Sequence, residues 1–376
     1  MVDGQAVDEA EEGEPLMRRT ARFLSRGWVA TVAALAATAL TLGACGSSSS
    51  TSSAASSAAA STSSTAAATS STTSSSGKHV SIAYLSFAVA NTYDAPMLSA
   101  AKSVANADNA TVKVFDANNN PATQYSQLQD AITSGNYQGI ITQPITSTNL
   151  IPLVQQAISK GIKVVNIDQI LGPKLDTFQK QVQGLSGNVT FVPTELGNKF
   201  GSLVVQACKA NNLNPCNVGY LYDIKASALD VALRSGFDQA IKADPSVKVV
   251  AEGQDFFTPA QGLKAVQDML QSNSSINLIA GSDQGIEGAQ QANTSKKVVL
   301  VGYGGSAAGI SGVKSGKWFG TVQQTPATEG KLGMQQVIAA AQDGTNAAAV
   351  DPLASLPNGG TILKSNVSQF HPEWPG

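Results

Sequence analysis

The chain has 376 residues, more than one hydrophobic core usually holds, so two folded bodies are the first expectation. Its 24 Lys and Arg against 26 Asp and Glu leave a net charge of −2, which argues against nucleic acid as a partner. With two histidines, three cysteines and no clustered ligand spacing, the chain is expected to hold no metal and no cofactor.

Residues 1–16 carry Asp3, Asp8, Glu9, Glu11, Glu12 and Glu14, an acidic stretch ill placed before a basic segment, so translation is expected to begin at Met17. Residues 17–45 have arginines at 18, 19, 22 and 26, then an apolar run from Trp28 to Leu42, then small residues, which is the pattern of a secretory signal. That run is short for a stable membrane span. Its end, Leu42-Gly43-Ala44-Cys45, resembles the lipobox of bacterial lipoproteins, which implies a lipid on Cys45 and anchorage to the outer face of the cell membrane. Residues 46–77 follow as a tether. Ser47 to Ser76 is built of Ser, Thr and Ala alone and cannot bury enough apolar surface to offset the entropy of ordering. Random-coil scaling gives such a segment a reach of roughly 30 Å.

From Val80 onward short apolar runs alternate with helical patterns. Strands are expected at 80–86, 112–115, 139–142 and 162–167, then at 188–192, 218–222, 247–252, 276–280, 298–302 and 320–323. The unit 138–169 is the clearest. Its two apolar runs flank a helix that Thr148 or Asn149 can cap, that Pro152 suits in the first turn and that Gly161 stops. Strands joined by a crossover helix run parallel, and at their carboxyl ends the sequence turns polar, with Gln143 after one strand and Asp168-Gln169 after the other. Ligands bind at that edge in open α/β sheets. The fold class is therefore α/β, with two doubly wound parallel-sheet lobes. Residues 78–193 with 325–348 form one lobe, and residues 194–324 with 349–376 the other. Cys208 and Cys216 fall between a helix and the next strand and are expected to pair in an oxidising compartment. Trp318 is expected in the core, and Val301 to Gly305 as a turn rather than a nucleotide loop.

Residues 78 to about 350 resemble the sugar-binding proteins of bacterial ABC transporters, of the ribose-binding type, related to the ligand domains of LacI-type repressors. The segments that carry the resemblance are IAYLSFAVANTYDAPML, FDANNNPATQYSQLQDAITSGNYQGIITQPIT, GIKVVNIDQ, ALRSGFDQAIKADPSVKVVAEGQDFFTPAQGLKAVQDML, NLIAGSDQGIEGA, VVLVGYGG and GKWFGTVQQTP, in family order. In that family aromatic rings cover the apolar faces of a sugar, while amides, carboxylates and guanidinium groups take its hydroxyls. The resemblance maps Asn91 and Tyr93 to the loop after the first strand, Phe257 to the second aromatic wall, Gln143 and Asp168 to the strand ends, and Gln324 to a crossover strand.

Departures from the pattern matter as much. Gln169 stands where the family has an arginine, Ser282, followed by Asp283, where it has an amide, and Gly304 where it has an aspartate; Arg234 is one residue out of register. A ribose-identical pocket is therefore not implied: the site suits a larger ligand or a neutral polyol, unless polar replacements elsewhere compensate. The resemblance implies a monomeric, non-enzymatic solute-binding protein with a small sugar or polyol as ligand and an ABC permease as partner. A receptor that presents its ligand to a membrane signalling partner is the alternative, and an enzyme would need a carboxylate pair at hydrolytic spacing that no motif marks.

Overall fold

A chain of short apolar runs separated by amphipathic helices can hide both faces of its strands by flanking a parallel sheet with helices on each side. The computed structural model, which describes residues 77–292 and 297–376, builds that arrangement twice. The expected extension, the signal with Cys45 and all but the last residue of the tether lie outside the described residues.

The first lobe takes β1 (Val80–Ser86), α1 (Asp94–Ala107), β2 (Ala110–Asp116), α2 (Pro121–Ser134), β3 (Gly139–Thr142), α3 (Ile151–Ser159), β4 (Lys163–Asp168) and β5 (Gly187–Thr190). The second takes α4 (Pro193–Ala210), β6 (Cys216–Tyr222), α5 (Ala228–Ile241), β7 (Val247–Gln254), α6 (Pro259–Ser272), β8 (Leu278–Ser282), α7 (Asp283–Ala292), β9 (Val299–Tyr303), α8 (Ala307–Ser315) and β10 (Gly320–Val322). The chain then recrosses. Helix α9 (Pro326–Asp343) covers the first sheet, β11 (Ala349–Val350) extends it, and β12 (Thr361–Leu363) closes the second sheet beside β10. The first sheet runs β11-β5-β4-β3-β1-β2 and the second β12-β10-β9-β8-β6-β7, with β12 antiparallel to β10. Because β11 pairs with β5 at Asn188 and Val189, the first sheet holds the chain through Val350 rather than releasing it at 348.

Local chemistry explains most boundaries. Asn120 caps α2 by accepting from Ala122 N at 2.9 Å and Thr123 N at 3.0 Å, Pro121 opens the helix, and Gly135 ends it at φ +66°. Helix α3 departs from expectation. Its cap position is Leu150, fully buried and already in helical conformation, and the turn closes through Ile151 N donating to Thr148 O at 3.2 Å instead of through a Thr148 or Asn149 side chain. Burial of Leu150 fixes the entry of this helix, and no side-chain cap is made.

Within each lobe helices meet at backbone distance. A Cβ on Gly330 of α9 would lie 2.0 Å from the Met97 carbonyl oxygen of α1, and Cβ atoms on Gly197 of α4 and Gly236 of α5 would each lie 2.0 Å from a carbonyl oxygen of the opposing helix, Leu233 and Thr194 respectively. Cys208 at the end of α4 and Cys216 at the start of β6 are joined, with Cα atoms 5.8 Å apart. Trp318 is buried in the second core, as expected, and Gly304 and Gly305 form a positive-φ turn after β9.

Candidate functional site

Register places the site. Leu85 of β1 pairs with Thr142 of β3, and Thr142 with Asn166 of β4, so the residues that follow these strands emerge together on one edge of the first sheet. Gln143 sits at the centre of that edge. Its Oε1 accepts from Phe87 N at 2.9 Å, and its Nε2 donates to Asp94 Oδ1 at 2.5 Å and to Asp168 Oδ2 at 2.9 Å. Gln169 Nε2 donates to the same Asp168 oxygen at 3.0 Å, whereas Asp168 Oδ1 is buried without a hydrogen-bond partner among the described residues. Asp168 also stands at φ +61°, a left-handed conformation that an L residue holds at a cost.

The second lobe answers with a matching edge. Asp223 follows β6, accepts a hydrogen bond from the Tyr303 hydroxyl through Oδ2, and leaves Oδ1 buried without a partner among the described residues. Asp255 follows β7. It accepts from Phe257 N at 2.9 Å and from Ser282 Oγ at 3.0 Å, and it holds a turn in which Phe256 and Phe257 both have positive φ. The strain brings the Phe257 ring 6.2 Å, edge to face, from Phe87 of the first lobe.

Between the two edges lies a cavity shared by both lobes. Asn91, Tyr93, Gln143, Asp168 and Gln169 line it from the first lobe, Phe257 and Ser282 from the second, and Gln324 from the crossover. Gln284 Nε2 spans the cleft to Thr92 Oγ1 at 2.9 Å and Asn91 Oδ1 at 3.4 Å, so the lobes are closed on one another.

Two expected residues are not brought to the cavity. Asp283 is fully buried and turned into the second lobe, where it accepts from Ser306 N at 2.7 Å, Ser306 Oγ at 2.8 Å and Thr321 Oγ1 at 2.6 Å. Arg234 lies on another face of α5. Its Nε donates to Asp238 at 2.7 Å and its Nη1 to Glu252 at 2.6 Å, while the guanidinium stacks over Tyr220, so its charge is already spent.

Burial sets the electrostatics. It lifts the Asp168 carboxyl to about 6 against the opposing pull of the Gln143 and Gln169 amides. Burial, then the neighbouring Asp168 charge, pushes Asp94 well above the usual carboxylate range. Asp223 rises for the same first reason, reinforced by Asp255 and Asp230. Among the described residues no group of acids, histidines and cysteines is placed to hold a metal ion.

Residues 82–346 match the family described as the periplasmic binding protein domain. The chain belongs to this family. Similar curated proteins include the D-allose-binding periplasmic protein of Escherichia coli, 29% identical over 223 residues that make up 58% of this chain and 70% of that one. The xylitol-binding protein of Mycolicibacterium smegmatis is 25% identical over 268 residues, 70% of this chain and 71% of the relative. Among solved structures, an ABC transporter solute-binding protein from Mycobacterium smegmatis with bound glycerol superposes with a TM-score of 0.66 at 21% identity, covering 80% of this chain and 100% of that one. A solute-binding protein from Bacillus halodurans with bound myo-inositol gives 0.65 at 19% identity, covering 78% and 96%. These are binding proteins and not enzymes, and the chain is a binding protein with their fold. The family places it outside the cytoplasm, and among the described residues no helix is long and apolar enough to cross a membrane.

Several periplasmic-binding-protein side chains at this cleft escaped the sequence reading: Phe87, Asp94, Asp223, Gln284, Tyr303 and Trp374. Asp223 was accessible to the rule that found Asp168, since both follow a buried parallel strand. Trp374 carried no such signal. It reaches the cavity through the path of residues 371–376, which lie across both lobes. Trp374 Nε1 donates to Gly304 O at 2.9 Å in the second lobe, its ring packs 5.4 Å from Tyr93 in the first, and Glu373 accepts from Thr328 N of α9 at 2.8 Å.

Proposed function

We propose that this chain is the solute-binding subunit of an ABC importer, that it is held at the outer face of the membrane by lipid on Cys45, and that as a monomer it takes a small sugar or polyol between two lobes which close about a hinge. The observation that carries the reading is the cavity itself. Strand-end carboxylates and amides from both lobes converge with the rings of Phe87, Tyr93, Phe257 and Trp374, and these are the two kinds of surface that a polyhydroxylated ring presents to a protein. The relatives' stated ligands, D-allose and xylitol, and the glycerol and myo-inositol held by structures of the same fold, support the same class.

The test is a thermal-shift panel of D-allose, D-ribose, xylitol, myo-inositol and glycerol on the purified protein. A ligand at 100 times its dissociation constant adds about 2.7 kcal/mol of stability. A panel without any shift, extended to other pentoses and hexoses, would refute the ligand class. Anchoring is tested separately. Cys45→Ala is expected to move the protein from the membrane fraction to the soluble exported fraction, and an unchanged membrane fraction would refute it.

A further inference from the structure

The cavity holds carboxylates without a partner in charge. Among its described lining residues are Asp94, Asp168 and Asp223, and no lysine, arginine or histidine. The amide hydrogens of Gln143 and Gln169 and the hydroxyl of Tyr303 are donated to these acids, and the carboxyls of Glu329 and Asp255 stand beside Asp168 and Asp223 as further hydrogen-bonding partners. None of these groups brings a positive charge. One oxygen in each lobe, Asp168 Oδ1 and Asp223 Oδ1, is buried and left without a hydrogen bond among the described residues. Arg234, the cation of α5, is committed to Asp238 and Glu252 away from the cavity. Buried carboxylates of this kind are costly unless a cation arrives to pair with them. Five rings, those of Phe87, Tyr93, Phe257, Tyr303 and Trp374, share the wall with the acids, with neutral polar side chains and with Leu229, and the faces of such rings attract cations as well as sugar C–H groups.

We propose that the ligand of this cleft carries a positive charge: it is an amino sugar or an aminated polyol, whose hydroxyls meet the amides and whose ammonium group is neutralised by Asp168 and Asp223. The proposal rests on the reading of the cleft as a sugar site and narrows it to one chemical class. The protein supplies negative charge to the cleft, and the ligand supplies the positive.

The groups that face these acids are themselves acidic or phenolic. Asp94, Glu329, Tyr84 and Tyr93 surround Asp168, while Asp255, Asp230, Tyr220 and Tyr303 surround Asp223. An ammonium ligand binds the ionised form of Asp168 and draws the proton off Asp223, which burial holds on that carboxyl, so its affinity should fall as pH is lowered through about 6, where Asp168 takes up its proton.

The experiment is calorimetric titration of the purified protein with D-glucosamine, D-galactosamine and D-mannosamine, each beside its neutral parent and its N-acetyl form, at pH 7 and pH 5. At least one amine is expected to bind tenfold or more tightly than both its counterparts at pH 7. That preference should vanish at pH 5 and in Asp168→Asn and Asp223→Asn, which keep the shape of the side chain and remove its charge. Far-ultraviolet circular dichroism melts establish that both variants fold, and the pH arm uses the wild type and needs neither. Neutral sugars bound as tightly as their amines, or an amine preference that survives in both variants, would overturn the charge assignment and leave the sugar site standing. If none of the nine compounds binds, the charge assignment falls. The sugar reading falls with it only if the neutral panel above also fails.

Discussion

Replacing Asp168 by asparagine should make the ligand-free protein more stable at neutral pH and leave it unchanged in acid. The carboxyl ordinarily titrates at 3.8 and does so at about 6 in the fold, chiefly because it is buried. An acid with a raised folded value binds its proton more tightly when folded. Its contribution is therefore neutral below 3.8, becomes a penalty as pH rises towards 6, and is a constant penalty above that. The difference between 3.8 and about 6, at 1.36 kcal/mol per tenfold, makes this penalty about 3 kcal/mol. Asparagine keeps an oxygen for the amides of Gln143 and Gln169 and removes the buried charge. Urea unfolding at pH 7.5 and pH 4 is the assay. A gain of about 2 to 3 kcal/mol at the higher pH, shrinking to under about 1 at the lower, is expected. A variant less stable than wild type at pH 7.5, or a gain of equal size at both values, would refute the assignment of Asp168 as a buried, uncompensated acid.

Phe257→Ala should weaken binding of the identified ligand at least tenfold, about 1.4 kcal/mol, since the ring is part of the cavity wall; isothermal titration decides it. Asp283→Ala should act on folding instead, costing on the order of 3 kcal/mol by stranding Ser306 and Thr321, while affinity in the folded fraction stays within threefold of wild type. A large loss of affinity would return Asp283 to the site. Removing the Cys208 to Cys216 link by paired alanines should cost about 2.5 kcal/mol by loop-closure entropy for so short a loop, read from denaturant midpoints; two free thiols in the exported, unreduced protein would show that no link forms.

The unit from β3 through β4 was legible because every signal agreed: two apolar runs, a proline near the helix start and a glycine after it. Its cap was misread because propensity points to Thr148 and Asn149, whereas burial of Leu150 is a tertiary fact that sets where the turn closes. Position at a strand end could be read, but direction could not. Ser282 and Asp283 are adjacent, yet one lines the cavity and the other turns back to hold the β9 to α8 turn, because successive residues leave an extended strand on opposite sides. Arg234 shows the helical form of the same limit: one residue of register is a rotation of about 100°, enough to trade a cleft for a surface ion pair. Trp374 was beyond reach, since it arrives through a segment with no periodicity to follow.

The glycine contacts between helices bear on how the two lobes behave as mechanical bodies. Where Gly330 meets Met97, and where Gly197 and Gly236 meet the opposing backbone of α5 and α4, the helices touch main chain to main chain and leave no layer of adjustable side chains to be compressed. Such lobes are stiff levers. Motion at the cleft is not absorbed in their interiors but carried to their outer rims, and it grows with distance from the crossovers. A membrane partner that grips those rims can then distinguish open from closed by the spacing of two rigid surfaces, without touching the molecule held between them.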